Sequence, residues 1–80
     1  MASDLARTLK SLPPDSGHRI KVALAFHNIK QNAFARAIGA DETALSRRLN
    51  GYRPWTSDER VKAAELLGVP ESLLFPEAAA

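Results

Sequence analysis

Apolar residues recur at helical spacing through most of the chain, and no segment shows the sustained alternation that is typical of β-strands. Leu5, Leu9 and Leu12 predict a short amphipathic helix over residues 4–11. Pro13-Pro14 ends this helix because proline lacks the backbone N–H that a helix interior requires.

A denser apolar pattern begins after Gly17 and predicts a second helix. Two stripes lie side by side on this helix, and all their residues are apolar except His27. One stripe consists of Ile20, Ala23, Leu24 and His27, and the other of Val22, Phe26 and Ile29. Together they are wider than the single apolar stripe of an ordinary surface helix. The helix is therefore predicted to pack on two sides, with either the leading helix or another subunit covering the second side.

Residues 31–38 predict a short third helix. Phe34 and Ile38 lie one turn apart on its apolar face. Gly39 then fits the left-handed position that ends many helices, where a Cβ atom is costly. The helix is therefore expected to stop at this glycine.

A fourth helix follows at once, over residues 42–49. Asp41 is placed to cap it by accepting a hydrogen bond from a backbone N–H two or three residues on. Leu45 and Leu49 lie one turn apart and form its buried face. The third and fourth helices are thus predicted to be joined by a tight turn.

The C-terminal third reads as a turn followed by two more helical segments. Asn50-Gly51 is typical of turns, and Thr56 with Glu59 forms a capping box for a helix that Gly68 ends. Pro70 fits the first turn of a last short segment, which carries Leu73, Leu74 and Phe75 and which Pro76 closes.

These patterns predict one all-α domain over residues 1–80, a compact bundle of about five short helices. Residues 1–15 form an N-terminal amphipathic extension, and residues 76–80 are expected to fray. Eighty residues suffice for only one small core. Trp55 is interpreted as a packing residue between the turn and the last helices, with a contact to a binding partner or to a second subunit as the alternative.

Composition excludes several classes of protein. The chain has no cysteine, so a disulfide framework and a thiolate metal site are both ruled out. His18 and His27 lack further ligands at metal-binding spacing, so no metal is expected. A long apolar run and a signal leader are also missing, which predicts a soluble cytoplasmic protein without a membrane partner.

No catalytic pattern emerges from the sequence. A nucleophile paired with a base, a glycine loop for phosphates and a carboxylate cluster are all lacking. We therefore expect a protein that is not an enzyme and that has neither a cofactor nor a small-molecule substrate.

Charge is unevenly distributed along the chain. Residues 17–56 carry seven cations against two carboxylates, a net charge of +5, whereas residues 57–80 carry two cations against five carboxylates, a net charge of −3. The positive middle is either ordinary solvated surface or the electrostatic footprint of a polyanion.

The segment "QNAFARAIGADETALSRRLNG" resembles the helix-turn-helix of the Cro and lambda-repressor family of phage repressors and small bacterial regulators. Apolar, small and glycine positions of the family pattern are matched by Phe34, Ala35, Ile38, Gly39 and Leu45. The resemblance runs from about Ile20 to Phe75 and includes "ELLGVPESLLF", which is similar to the family's last two helices. It implies a lambda-repressor-like fold with the helix-turn-helix at residues 31–50, and a repressor in a bacterial or phage-infected cell.

The resemblance also implies roles for individual residues. Positions that face base edges are matched by Glu42, Thr43, Ser46 and Arg47, and positions that contact phosphates by Gln31 and Asn50. Arginine is the best bidentate partner of guanine, glutamate accepts from cytosine, and threonine offers a hydroxyl or a methyl group. Glu42 has an equally good alternative role, which is to complement the positive end of its own helix.

Three residues that flank the turn are further candidates for phosphate contacts, because a cation or a hydroxyl group positions a protein on DNA without reading its sequence: Lys30, Tyr52 and Arg53.

The chain departs from the family pattern at three positions. Arg48 replaces a core residue, so either its aliphatic stem lies along the core or Leu49 is buried instead. Lys30 stands where serine or threonine commonly caps the first helix of the pair. Ala40 is smaller than the usual turn residue, which predicts a less tightly packed corner.

Double-stranded DNA is the expected partner, and one corner offers few base contacts, so two copies are expected on a two-fold site. Two apolar surfaces are candidates for a homodimer contact, the leading helix around Leu5 and Leu9 and the last helix around Leu73, Leu74 and Phe75. A monomer that pairs only on DNA is the alternative.

The rival functions are a protein-interaction module, such as an antitoxin or antirepressor partner that uses the acidic C-terminal third, and architectural DNA binding without sequence preference.

Overall fold

The computed structural model describes residues 2–76, with side chains from residue 4 onward, and these residues form six α-helices and no β-strand. The helices are α1 (Ala2–Ser11), α2 (Ser16–Phe26), α3 (Gln31–Ala37), α4 (Glu42–Leu49), α5 (Ser57–Leu67) and α6 (Glu71–Leu74). The all-α prediction is confirmed. The predicted count of about five is corrected to six, and the last of them is the predicted short segment after Pro70, which forms a one-turn helix of its own.

Short-range signals set the helix boundaries around the turn. Asp41 accepts a hydrogen bond from the Ala44 backbone N–H at 2.7 Å, and α4 has the predicted bounds. Gly39 has a φ of +81°, in the left-handed region, and α3 ends two residues before it. The capping box at α5 is present in full, with Thr56 and Glu59 each accepting from the other's backbone N–H.

The leading helix is part of the core. Leu5 and Leu9 are fully buried, and α1 packs against α2 and α6. The wide apolar band of α2 is therefore covered by the chain's own N-terminal helix. Phe26, at the end of that band, remains largely exposed.

Arg19 joins the two ends of the chain. Its guanidinium group donates to the backbone carbonyls of Leu12 at 2.8 Å, Pro13 at 3.1 Å and Leu73 at 2.8 Å. The residue is buried, and its charge is solvated by these carbonyls rather than by a carboxylate. The link between α1 and α2 is thereby attached to α6.

Trp55 packs inside the domain, as the first of its two interpretations stated. Its ring lies edge-on to Phe75, with centroids 5.1 Å apart.

Residues 77–80 of the predicted frayed tail lie outside the described residues. Among residues 2–76, no helix combines the length and the apolar character needed to cross a lipid bilayer.

Candidate nucleic-acid interface

The corner formed by α3 and α4 has a buried inner side. Phe34, Ala35 and Ile38 enter the core from α3 and the link after it, and Leu45 and Leu49 enter from α4. The Ala40 backbone N–H closes the turn by donating to the Ala35 carbonyl at 2.8 Å. Because the leucines occupy one side of α4, the other side of this helix faces solvent.

The exposed side of α4 brings most of the candidate site residues together. One depression of about 420 Å³, hereafter the α4 depression, is lined by Glu42, Thr43, Ser46, Arg47, Asn50 and Tyr52. The helical members fall into rows spaced four residues apart, which is why they share a surface. All four residues predicted to face base edges lie here, with two of the five predicted to contact phosphate.

Arg47 is the cation of this depression. It is exposed, and none of the three ion pairs formed by residues 4–76 involves it. Its guanidinium group, with five N–H donors in a planar fork, is therefore available to a ligand. Tyr52, at 79% exposure, holds its ring on the same surface.

Asn50 is tied to the helix that precedes it. Its side-chain Nδ2 donates to the Ser46 carbonyl at 2.9 Å and lies 3.4 Å from the Ser46 hydroxyl oxygen. The bond to the hydroxyl oxygen is the longer and weaker of the two, so an anion at this surface would compete with the Ser46 hydroxyl group for the second amide hydrogen. The side chain is thus held against the last turn of α4.

Arg48 points away from this surface. Its Nε donates to Glu59 Oε1 at 2.7 Å, and its Nη1 donates to the Ala44 carbonyl at 3.0 Å. Of the two alternatives predicted, the burial of Leu49 is the one observed. Arg48 turns toward α5, with 18% of its side chain exposed. Arg48 is therefore an internal residue that positions α4, and it is not one of the residues that line the α4 depression.

Gly17 allows α2 to approach the end of α4. A Cβ atom at this position would overlap the carbonyl oxygen of Leu49. The sequence showed Gly17 only as the start of a helix, because the contact joins backbone segments 32 positions apart. The placement of α4 thus depends on this glycine as well as on Arg48.

The structure adds Asn32 and Arg36 to the candidate site. A depression of about 610 Å³ between α3 and α4, hereafter the turn depression, is lined by both of them together with Glu42 and Thr43. Ala40 also lines it. The spacing of four residues between Asn32 and Arg36 places them on one face of α3, but this spacing alone does not mark a site in the sequence.

His18 and Lys21 also lie near the end of α4. With Asn50 and Gly51 they line a depression of about 370 Å³ between α2 and the turn after α4. Both side chains are exposed and stand on the N-terminal half of α2. Their distance in sequence from the turn explains why sequence reasoning passed over them.

Three of the predicted phosphate contacts lie outside the α4 depression. Gln31 is the first residue of α3, and Lys30 precedes it without a side-chain cap, as its residue type predicted. Arg53 lines a separate depression beside Trp55. All three side chains are exposed.

The apolar side chains at both predicted dimer surfaces are largely used within the chain. Leu5, Leu9, Leu74 and Phe75 are buried, and Leu73 is partly buried. The exposed large apolar side chains of residues 4–76 are instead Phe26, Tyr52, Val61 and Leu66.

Residues 4–76 hold no cluster of three or more histidine or carboxylate side chains that could bind a metal ion.

Comparison with protein-family models, with curated proteins and with solved structures found no match to this chain.

Proposed function

We propose that this chain is a sequence-specific, double-stranded DNA-binding transcriptional regulator of the helix-turn-helix type, and that it represses transcription by occupying an operator. The observation that carries the proposal is the α4 depression. Four side chains suited to base edges and two suited to phosphates share one exposed surface, on a helix whose opposite side is buried.

The dimensions of α4 suit the major groove. A helix of this length is about 12 Å long and about 10–12 Å across with its side chains, and the groove is about 12 Å wide. Arg47 donates to guanine O6 and N7, and Glu42 accepts from cytosine N4. Thr43 and Ser46 contribute hydroxyl groups to neighbouring base edges.

The flanking residues set the register on the phosphates. Asn50 donates from its side-chain amide in place of its weak bond to the Ser46 hydroxyl oxygen, and Tyr52 uses its hydroxyl group. Lys30, Gln31 and Arg36 lie along α3, which crosses the sugar–phosphate backbone in this arrangement. Arg53 supplies a further cation after the turn.

Useful specificity requires two copies on half-sites about 34 Å apart. Because the leucines of α1 and the apolar residues of α6 are largely used within the chain, two copies would pair through other surfaces or only on the operator. The site of action is the cytoplasm of a bacterial or phage-infected cell.

A protein-interaction module that uses the acidic C-terminal third has less support. Of its carboxylates, Glu59 pairs with Arg48, Glu71 with Arg60 and Asp58 with Lys62. These pairs neutralise much of the negative surface on which such a partner would depend. Architectural binding is disfavoured because the formal net charge of the chain is only +2, and binding without base contacts depends on many cations at phosphates.

The decisive measurement is fluorescence anisotropy with labelled duplex from the region upstream of the chain's own gene, at two salt concentrations and with random competitor DNA. We expect binding that unlabelled upstream duplex abolishes at much lower concentration than random duplex does. Equal competition by the two would refute operator binding. Absence of binding to either duplex at low salt would refute DNA binding altogether.

A further inference from the structure

A polar depression between the first turn of α2 and the end of α4 is continuous with the proposed DNA-contacting surface. Its volume is about 370 Å³, and it is hereafter called the α2 depression. Asn50 lines both this depression and the α4 depression. A DNA strand that contacts Asn50 therefore has the α2 depression beside it.

Ser16, the first residue of α2, lines the depression with a hydroxyl group that has no partner. The residue is only 6% exposed, yet its side chain makes no hydrogen bond with residues 4–76, whereas the equally buried Arg19 and Glu59 are both paired. Its oxygen is also open to the depression, since the one unpaired side-chain polar atom that is closed to solvent among residues 4–76 is Trp55 Nε1. The Ser16 hydroxyl group is thus available to a ligand that enters the depression.

The backbone of the same turn offers further donors. The Gly17 N–H donates to the Asp15 carboxylate at 3.1 Å, and the Arg19 N–H donates to the Asp15 carbonyl at 3.0 Å. The N–H groups of Ser16 and His18 have no acceptor among residues 4–76. Because free N–H groups carry the positive end of the helix dipole, they favour a negatively charged ligand.

The charges that line the depression suit a ligand with a single negative charge. Lys21 is exposed and takes part in none of the ion pairs of residues 4–76, whereas Arg48 is paired with Glu59. The Asp15 carboxylate lies in the same wall and opposes an anion. One ammonium group with several neutral donors matches a phosphodiester, which has one charge and two free oxygens that accept hydrogen bonds.

We propose that the α2 depression binds a DNA phosphate, one that neighbours the phosphate at Asn50 on the same strand. The inference rests on the proposed function and adds a second element to it. The Ser16 hydroxyl group and the His18 backbone N–H donate to the phosphate oxygens, and the Lys21 ammonium group pairs with the charge. The strand is thus held by α2 as well as by the turn after α4, which fixes the register of α4 in the groove.

Replacement of single phosphates tests the contact directly. Copies of the upstream duplex each carry one uncharged methylphosphonate, and their binding to the full chain and to Lys21→Gln is measured by fluorescence anisotropy. We expect one position at which the replacement weakens binding by the parent chain at least about tenfold. At that position the loss should be at least about fivefold smaller in Lys21→Gln, because the variant lacks the partner of that phosphate.

Three variants separate the charge from the neutral donor. Lys21→Gln should lower the slope of log affinity against log salt by about 0.9, the loss of one neutralised phosphate. Ser16→Ala should weaken binding about threefold or more and leave the slope unchanged, because a hydroxyl group carries no charge. Asp15→Asn keeps a capping side chain and should strengthen binding at low salt, because it removes a like charge from beside the phosphate.

Two matched controls make the same changes at exposed positions away from the depression. Lys10→Gln on α1 and Ser72→Ala on α6 are expected to leave the affinity within about twofold and the slope unaltered. Thermal unfolding of each variant separates a lost contact from a lost fold, and Lys21, being exposed, can be replaced without disturbing the core.

Two results would overturn the proposal. One is that Ser16→Ala and Lys21→Gln bind the upstream duplex as the parent chain does, and the other is that every methylphosphonate weakens parent and Lys21→Gln alike. Both results leave the parent chain bound to DNA, so they refute this contact and not the proposed function. Absence of DNA binding by the parent chain refutes the proposed function, and the contact with it.

Discussion

The Arg48 Nε atom lies 2.7 Å from Glu59 Oε1, and the Thr56 backbone N–H donates to that same oxygen at 2.9 Å. One carboxylate oxygen therefore joins the last turn of α4 to the first turn of α5. Leu49, in the same turn as Arg48, is buried in the core. The inner side of α4 is thus fixed by an ion pair and by apolar packing, while its outer side makes few contacts with the rest of the domain.

Removing one partner of this pair is expected to destabilise the domain. Arg48→Ala leaves the buried Glu59 carboxylate without its cation, which should lower the free energy of unfolding by about 1–3 kcal/mol. A double-mutant cycle with Arg48→Met and Glu59→Gln isolates the ion pair, because glutamine can still form the capping box. We expect urea unfolding to give a coupling energy of about 1–2 kcal/mol.

The exposed pair of Lys62 and Asp58, 3.0 Å apart, supplies the control for Arg48→Ala. Lys62→Ala should change stability by less than about 0.5 kcal/mol, because solvent screens exposed charges. If Arg48→Ala is as mild as Lys62→Ala, the Arg48–Glu59 pair does not hold α4 in place.

Gly17→Ala tests the contact between α2 and α4, and the two relevant effects have opposite signs. Alanine is a better helix former than glycine by about 0.5–1 kcal/mol. The overlap with the Leu49 carbonyl oxygen should outweigh that gain and destabilise the domain by about 1–3 kcal/mol. Thermal unfolding measures the sign, and a more stable variant would contradict the close approach.

Gly51→Ala separates backbone strain from steric overlap. Gly51 has a φ of +80°, and a Cβ there would meet nothing within 4 Å. The cost should be about 1–2 kcal/mol from the left-handed backbone alone. Amide resonances of α2 are expected to move in Gly17→Ala and to stay in place in Gly51→Ala.

Arg47→Ala should change specificity without changing stability. The side chain takes part in no ion pair among residues 4–76, so the unfolding free energy should stay within about 0.5 kcal/mol of the parent. Binding to the operator should weaken by about 1–3 kcal/mol, with relaxed preference at one base pair. Equal losses on operator and random duplex would refute base reading by Arg47.

Asn50→Ala should have the complementary effect. A phosphate contact carries no sequence information, so affinity for operator and random DNA should fall alike. The variant also loses the exposed hydrogen bond to the Ser46 carbonyl, which should cost no more than about 0.5 kcal/mol of stability. A loss confined to the operator would show that Asn50 reads a base instead.

Arg36→Gln tests a residue that the structure added to the site. If Arg36 contacts a phosphate from the turn depression, the slope of log affinity against log salt should fall by about 0.9. Arg7→Gln, the same change on α1, should leave the slope unaltered. Identical salt dependence in the two variants would place Arg36 outside the interface.

Local signals predicted α4 well, whereas the positions of its side chains relative to the rest of the chain needed the structure. The Asp41 cap and the two leucines act within one or two turns, so the sequence shows them directly. The direction of Arg48 depends on Glu59, eleven residues away, and the contact of Gly17 depends on Leu49. Such tertiary relationships leave no periodic trace in a single sequence.

Tertiary packing also decides what covers the two apolar surfaces that were predicted as candidates for a dimer contact. The leucines of α1 and the apolar residues of α6 were recognisable as apolar faces, but an apolar face does not reveal which surface covers it. In the structure α1 and α6 pack on α2 and on each other. The apolar faces of the short helices were thus easier to predict than the surfaces that cover them.

The three carbonyls that surround Arg19 have a consequence for folding cooperativity. They come from segments on either side of the residue, and the Leu73 carbonyl lies 54 positions away. Undocking either end of the chain would leave part of a buried guanidinium group without acceptors. We therefore expect the N-terminal and C-terminal helices to lose their structure together, so that hydrogen exchange would report α1 in the same cooperative folding unit as the helices of the proposed DNA-binding corner.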